Sequence, residues 1–145
     1  MTDMEDLSFL VLLAEDDSGD AHLVKAAFAD GSYPCKVEHV WDGVEAMARL
    51  NAAKESGARL PDLLLLDINM PKMNGIEVLA MVKADAALRD IPAVMLTTSD
   101  AERDVSGAYQ AGASGYVSKP VDVEGLFTSI HGISDYWFGV MRRPR

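Results

Sequence analysis

The chain has 145 residues, 49% hydrophobic and 25% charged, with a formal net charge of −10; it suits one globular domain and excludes non-specific binding to nucleic acid or anionic membrane, which reward clustered Lys and Arg. A single cysteine, Cys35, excludes an internal disulfide, no Cys/His spacing resembles a zinc site, and a reducing, cytoplasmic compartment fits. The start, Met-Thr-Asp-Met-Glu-Asp, is acidic where a secretion signal is basic, and no apolar run approaches membrane-spanning length.

Phe9 to Ala14 is a short apolar run that stops at Glu15-Asp16-Asp17, the pattern of a buried strand closing on acid. Asp17 or Ser18 can cap a helix whose inward face is Leu23, Ala26 and Ala27, ended by Gly31, Ser32 and Pro34. Lys36 to Val40 alternates as a second strand. Asp42-Gly43 turns it into a helix facing inward through Val44, Met47 and Ala48, and Asn51 to Arg59 is expected to be a polar loop. The third strand is the run Leu63-Leu64-Leu65-Leu66, which delivers Asp67 and breaks at Pro71 and Gly75. Ile76, Leu79 and Val82 mark the third helix. A fourth strand, Ala93 to Leu96, ends at Thr97-Thr98, and Ser99 with Glu102 has the form of a capping box for a helix facing inward through Val105, Ala108 and Tyr109. Gly112 and Gly115 lead into a short strand, Tyr116-Val117, then Ser118-Lys119-Pro120. A last helix carries Leu126, Ile130, Ile133 and Trp137 on one face.

Five strands alternating with five helices predict an α/β fold, a flavodoxin-like (βα)5 doubly wound parallel sheet with strand order 2-1-3-4-5. One domain accounts for residues 1–145, with a core over about 7–134 and an aromatic and basic extension over 135–145. Such a sheet collects its strand C-termini at one edge, where these folds bind ligands. Glu15 and Asp16, Asp67, Thr97 and Lys119 all fall there, and strands one and three are neighbours.

Carboxylates crowded at one site raise each other's pKa unless a cation joins them, and an all-oxygen set with room for waters and a phosphate suits Mg²⁺. Lys119 supplies a point charge and Thr97 a hydroxyl. Together they describe phosphoryl transfer to a carboxylate, with Asp67 attacking. Singly, each residue has a plainer explanation: Thr97 ends a strand, Lys119 is a solvated cation, and the acids open helices. Complementary chemistry at four strand ends is what favours the functional reading.

The order acid pair, acid, hydroxyl, lysine resembles the receiver domain of two-component response regulators. The resemblance rests on Glu15-Asp16, Asp67 with Asn69-Met70-Pro71 and Gly75, Thr97-Thr98, and Gly112-Ala113-Ser114-Gly115-Tyr116-Val117-Ser118-Lys119-Pro120, and runs from about Leu7 to about Ser134. It implies that Asp67 is the phosphoacceptor. It also implies that Asp16, Asp67 and the Asn69 main-chain carbonyl ligate Mg²⁺, with Glu15 acting through a metal-bound water. Thr97 and Tyr116 are the implied switch pair, and the Lys119-Pro120 bond is expected to be cis. Glu15 is longer than the Asp many receivers carry, Asp17 adds a third acid, and Thr98 is bulkier than the small residue often found after the switch Thr.

No separate cofactor-binding set beyond the metal ligands is read. The implied function is that of a stand-alone regulator: a signalling domain that catalyses only its own phosphorylation and dephosphorylation. Its expected partners are a sensor histidine kinase or a phosphotransfer protein in a phosphorelay. The loop before Pro61-Asp62, the segment Leu88-Arg89-Asp90-Ile91-Pro92 and Tyr136-Trp137-Phe138 narrow the resemblance to regulators of phytochrome-type kinases, including bacteriophytochromes. Phe127 and Phe138, with His131 and Ser134 between them, form a second face of the last helix, to be packed on helix four or left for a partner. A homodimer through helix four, strand five, helix five and the aromatic C-terminus is expected. His22, His39 and His131 read as ordinary surface or packing residues.

Three rivals remain from the sequence. A phosphohydrolase of the haloacid-dehalogenase type also uses a strand-end Asp, Mg²⁺, Thr and Lys, but wants a second acid two residues after the nucleophile, where Asn69 stands. A flavodoxin would place a phosphate loop after strand one, where the acids repel it. A receiver-like module that binds without phosphorylation would not need the complete set.

Overall fold

The structure, a computed structural model, describes residues 8–98 and 101–140. Its strands are β1 (Phe9–Ala14), β2 (Cys35–Val40), β3 (Leu63–Leu66), β4 (Ala93–Thr97) and β5 (Gly115–Ser118). The helices between and after them are α1 (Ser18–Ala29), α2 (Gly43–Ser56), α3 (Gly75–Ala84), α4 (Glu102–Gln110) and α5 (Val123–Ser134), and a π-helical segment, Asp135–Val140, continues α5. All strands are parallel, as the alternation of elements predicts, and their order, β2-β1-β3-β4-β5, is the expected flavodoxin-like one.

The four leucines of β3 show why the sheet is central. Successive side chains of a strand point to opposite faces, and here Leu64 and Leu66 join a core with α2, α3 and α4, while Leu63 and Leu65 join a second core with α1 and α5. All four are fully buried. A strand covered on both faces must be apolar throughout, and its first polar residue, Asp67, comes where the sheet ends.

The helices start where side chains supply partners for their free amides. Asp17 caps α1, Asp42 caps α2 and Asp122 caps α5. Asn74 and Glu77 form a reciprocal capping box on α3. Of the box expected at Ser99 and Glu102, only Glu102 is described: α4 begins there behind Ala101, so Glu102 is the first helical residue rather than the third. Ser99 itself, like Leu7 and the basic Arg142 to Arg145, lies outside the described residues.

Several faces differ from expectation. Helix α2 continues through the predicted loop to Ser56, because Ala52 to Glu55 are good helix formers and the stop is Gly57, in the left-handed region at φ 73°. The buried stripe is Ala46, Met47, Leu50 and Ala53, at helical spacing, which leaves Val44 and Ala48 on the solvent side. In α1 the buried set is Ala21, Val24, Ala27 and Phe28, with Leu23 and Ala26 half-buried. In α4 only Ala108 is buried, and Tyr109 is exposed; Gly107 lies against Ile76 of α3, so the small residues take the contact.

The second face of α5 does not pack on α4. It lies along α1, where His131 Nε2 is 3.3 Å from an Asp30 carboxylate oxygen. Phe138 in the π-helical segment is buried and stacks on Phe9 at the start of β1, ring centroids 4.2 Å apart, beside Phe28 of α1. Trp137 is half-buried, and Tyr136 is exposed.

One glycine ties the core to the edge of the sheet. A Cβ on Gly75 would collide with the Asp67 carbonyl oxygen and press on the Met95 side chain, and the Gly75 amide donates to the Ile68 carbonyl at 3.2 Å. Gly75→Ala is expected to cost about 2 kcal/mol or more, as overpacked sites against immobile backbone do. A urea denaturation midpoint unchanged from the native chain would contradict this.

Candidate functional site

The register builds the site. Ala14 pairs with Leu66 in the last row of β1 and β3, so the next residues, Glu15 and Asp67, emerge side by side. The Asp67 amide donates to the Ala14 carbonyl at 3.1 Å and the Glu15 amide to the Val40 carbonyl at 3.0 Å. His39 Nε2 lies 2.8 Å from the Glu15 carbonyl oxygen. Glu15, Asp16 and Asp67 each offer a carboxylate oxygen, all within 4.8 Å of one another, with Glu15 and Asp67 buried and Asp16 exposed.

One cation holds this cluster. Lys119 Nζ lies 2.5 Å from Glu15 Oε1, 2.9 Å from Asp20 Oδ2 and 3.3 Å from Asp67 Oδ2. Burial works against its charge, but the hydrogen bonds to Glu15 and Asp20 and the negative charges of Asp67 and Glu15 outweigh it and hold its proton above the ordinary lysine range. For Glu15, burial dominates and raises the carboxyl to about 7; the Lys119 hydrogen bond opposes that rise, and the Asp67 charge adds to it.

The loops fix the acids. The Asn69 amide donates to Asp67 Oδ1 at 3.1 Å and the Asp17 amide to Glu15 Oε2 at 3.2 Å. Asp17 itself caps α1 and stands outside the cluster of three. Thr97, fully buried, ends β4, and its carbonyl accepts the Lys119 amide at 2.8 Å. Tyr116 is half-buried in β5, paired with Met95, two residues before Thr97. The described residues contain no cis peptide bond, so Lys119-Pro120 is trans, against expectation. The two isomers of an X–Pro bond differ by only about 0.5–1 kcal/mol, and the trans form leaves both the Lys119 amide and its ammonium engaged as described.

Sequence reading missed Asp20. It looked like one more first-turn acid of α1, and the only signal was its place four residues after Asp16 on the helix that starts at the site.

The donor set suits a hard divalent cation: every candidate ligand is a carboxylate oxygen, and ionising Glu15 beside Asp67 is costly without added positive charge. Comparison with known proteins decides the family, because the sequence profile of the response regulator receiver domain matches residues 11–131. The chain belongs to that family. The haloacid-dehalogenase and flavodoxin alternatives are thereby set aside.

Among curated proteins, this receiver domain is 37% identical over 136 residues to the "Probable methanogenesis regulatory protein FilR2" of Methanothrix harundinacea, covering 94% of this chain and 88% of that one. It is 34% identical over 145 residues to the response regulator Rcp1 of Synechocystis, covering 99% of each. Among solved structures, the phosphorylated cyanobacterial phytochrome response regulator RcpA superposes with a TM-score of 0.89 at 37% identity, covering 95% of this chain and 99% of that one. The receiver domain is thus a signalling protein of two-component type, and no helix among its described residues is long and apolar enough to cross a membrane.

Asp16 is the exposed member of the acid cluster, so its charge can be removed without disturbing the core. Asp16→Asn is expected to weaken binding of a divalent cation about tenfold or more, since carboxylate count sets affinity at such sites, with thermal stability unchanged. Titration calorimetry with Mn²⁺ giving native affinity would refute its place as a ligand.

Proposed function

We propose that this chain is a single-domain response regulator that accepts one phosphoryl group on Asp67 from a sensor histidine kinase or a phosphotransfer protein. The observation that carries the reading is Asp67 itself, at the end of the buried strand, with the Lys119 ammonium 3.3 Å away and the Glu15 and Asp16 carboxylates beside it. Its pairing with Rcp1 over 99% of both chains supports the single-domain form.

Glu15, Asp16, Asp67 and the Asn69 carbonyl would hold Mg²⁺, with Glu15 acting through a bound water; that the response regulator Rcp1 has been solved in a Mn²⁺-bound form supports a divalent cation here. When bound, the ion would supply positive charge that favours attack by a carboxylate on a phosphoryl group. Asp67 attacks phosphorus through a carboxylate oxygen while the donor leaves with the electrons of its bond. Lys119 and the Thr97 hydroxyl neutralise charge spread over the phosphoryl oxygens. The Asn69 amide contact orients the Asp67 carboxylate before reaction. Thr97 and Tyr116 then act as the switch: the hydroxyl moves toward the phosphoryl group, the Tyr116 ring follows, and the α4, β5 and α5 surface changes for its partner. Hydrolysis of the same bond resets the domain, so its chemistry is confined to itself. Because the Asp67 set is complete, this reading is favoured over a module that binds without phosphorylation.

A kinase of the phytochrome type, including bacteriophytochromes, fits best as the upstream partner. RcpA supports this, as does the bacteriophytochrome response regulator RtBRR, 34% identical over 95% of this chain. The same reading places the protein in the cytoplasm, where an unpaired Cys35 fits the redox poise, with no direct contact to nucleic acid. It also includes a homodimer through α4, β5, α5 and the C-terminal aromatics. Tyr109 and Tyr136 are exposed on that side, and a groove of about 420 Å³ lies between the start of β5 and Trp137. Phe138, committed to Phe9, is not available to it.

Incubation with Mg²⁺ and acetyl phosphate is expected to add the mass of one phosphoryl group, and Asp67→Asn to add none. Continued labelling of that variant would move the acceptor elsewhere. For the dimer, sedimentation at micromolar concentration is expected to show two copies; a monomer both with and without a phosphoryl mimic would sink it.

A further inference from the structure

An ammonium group has three hydrogens to donate, and the one on Lys119 meets three carboxylates. Glu15 and Asp67 are where the strand ends put them. Asp20 is not part of that edge: it sits in the first turn of α1, its amide bonded to Asp17 Oδ1 at 2.9 Å. An acid there is usually explained by the helix dipole and water. Its carboxylate instead reaches 2.9 Å from Lys119, a residue 99 positions away.

Exposure ranks the partners. The side chains of Lys119, Glu15 and Asp67 are 8%, 2% and 7% exposed, and that of Asp20 is 39% exposed. Asp20 is therefore the partner on the solvent side of the ammonium, where a phosphodonor arrives. Of the three, it is also the one whose release from Lys119 leaves no buried carboxylate without its cation. We infer that Asp20 is a positioning residue that holds Lys119 and competes with incoming phosphoryl oxygens for it, an anionic gate on phosphorylation.

This rests on the reading of Asp67 as phosphoacceptor. In the reaction with acetyl phosphate, the bond between phosphorus and the acetate oxygen breaks and its electron pair leaves on acetate. An Asp67 carboxylate oxygen forms the new bond to phosphorus, and no proton moves. Asp20 joins neither bond. It sets how readily Lys119 turns to the donor, and its charge repels a donor that carries more negative charge more strongly.

The test follows the rate of phosphoryl gain by intact mass in Mg²⁺ at pH 7.5, with acetyl phosphate and with the less negative phosphoramidate. Asp20→Ala and Asp20→Asn are expected to react about fivefold faster than the native chain at low acetyl phosphate, equivalent to the loss of one screened charge contact. The gain should lie in the concentration for half-maximal rate rather than in the limiting rate, should be smaller for phosphoramidate, and should vanish in Asp20→Glu. A merely structural role would lower thermal stability and slow both donors alike. If the native chain is labelled and both neutral variants are no faster, the gate is overturned while the phosphoacceptor stands. If the native chain takes no phosphoryl group from either donor, the phosphoacceptor reading falls and the gate with it.

Discussion

The site depends on one shared row: Ala14 opposite Leu66, the last pair of β1 and β3. Parallel strands in register must end together, so their next residues cannot avoid each other. In this chain both are acids. Two buried carboxylates side by side would ordinarily expel one charge, and Lys119, arriving from β5 at the far edge of the sheet, is what lets the pair persist. The site is thus held in tension between like charges on neighbouring strands and one cation delivered from an outer strand.

That arrangement works only on a scaffold that does not yield. The β3 leucines feed two separate cores, one on each face, and side chains in close-packed interiors cannot drift to relieve repulsion at the edge. Gly75 closes the loop below Asp67 against that residue's own carbonyl. The acid is clamped from the strand before it and from the helix after it. Dense packing behind Asp67 and the more exposed acids Asp16 and Asp20 near it serve different ends: the first fixes geometry, and the second leaves the edge open to water.

The strands and their terminal residues could be read from the sequence because their signals are local. An apolar run of strand length ending in Asp, Thr or Lys needs no knowledge of the rest of the chain. The helix faces were harder. In α4, Val105, Ala108 and Tyr109 fit one helical stripe, yet Gly107 and Ala108 take the contact with α3 and Tyr109 stays in water; periodicity cannot tell a large apolar residue from the small one that close packing requires. In α2, Met47 fits either of two overlapping stripes, and the one with Ala46, Leu50 and Ala53 is buried rather than the one with Val44 and Ala48. Phe138 was placed on a face but not against Phe9, because that contact joins the two ends of the sequence. Asp20 was missed for the same reason: nothing in its neighbours announces Lys119.

The stack of Phe138 on Phe9 lies at the start of β1, the opposite edge of the sheet from the acids at its end. Phe9 belongs to a strand flanked on both sides by other strands, yet its ring is closed over by the last described segment of the chain. A contact spanning that much sequence forms late, since the entropy of closing the loop is met only when most of the intervening structure is in place. Loosening the segment after α5 would therefore be felt first at the root of the same strand that carries Glu15 and Asp16 at its tip.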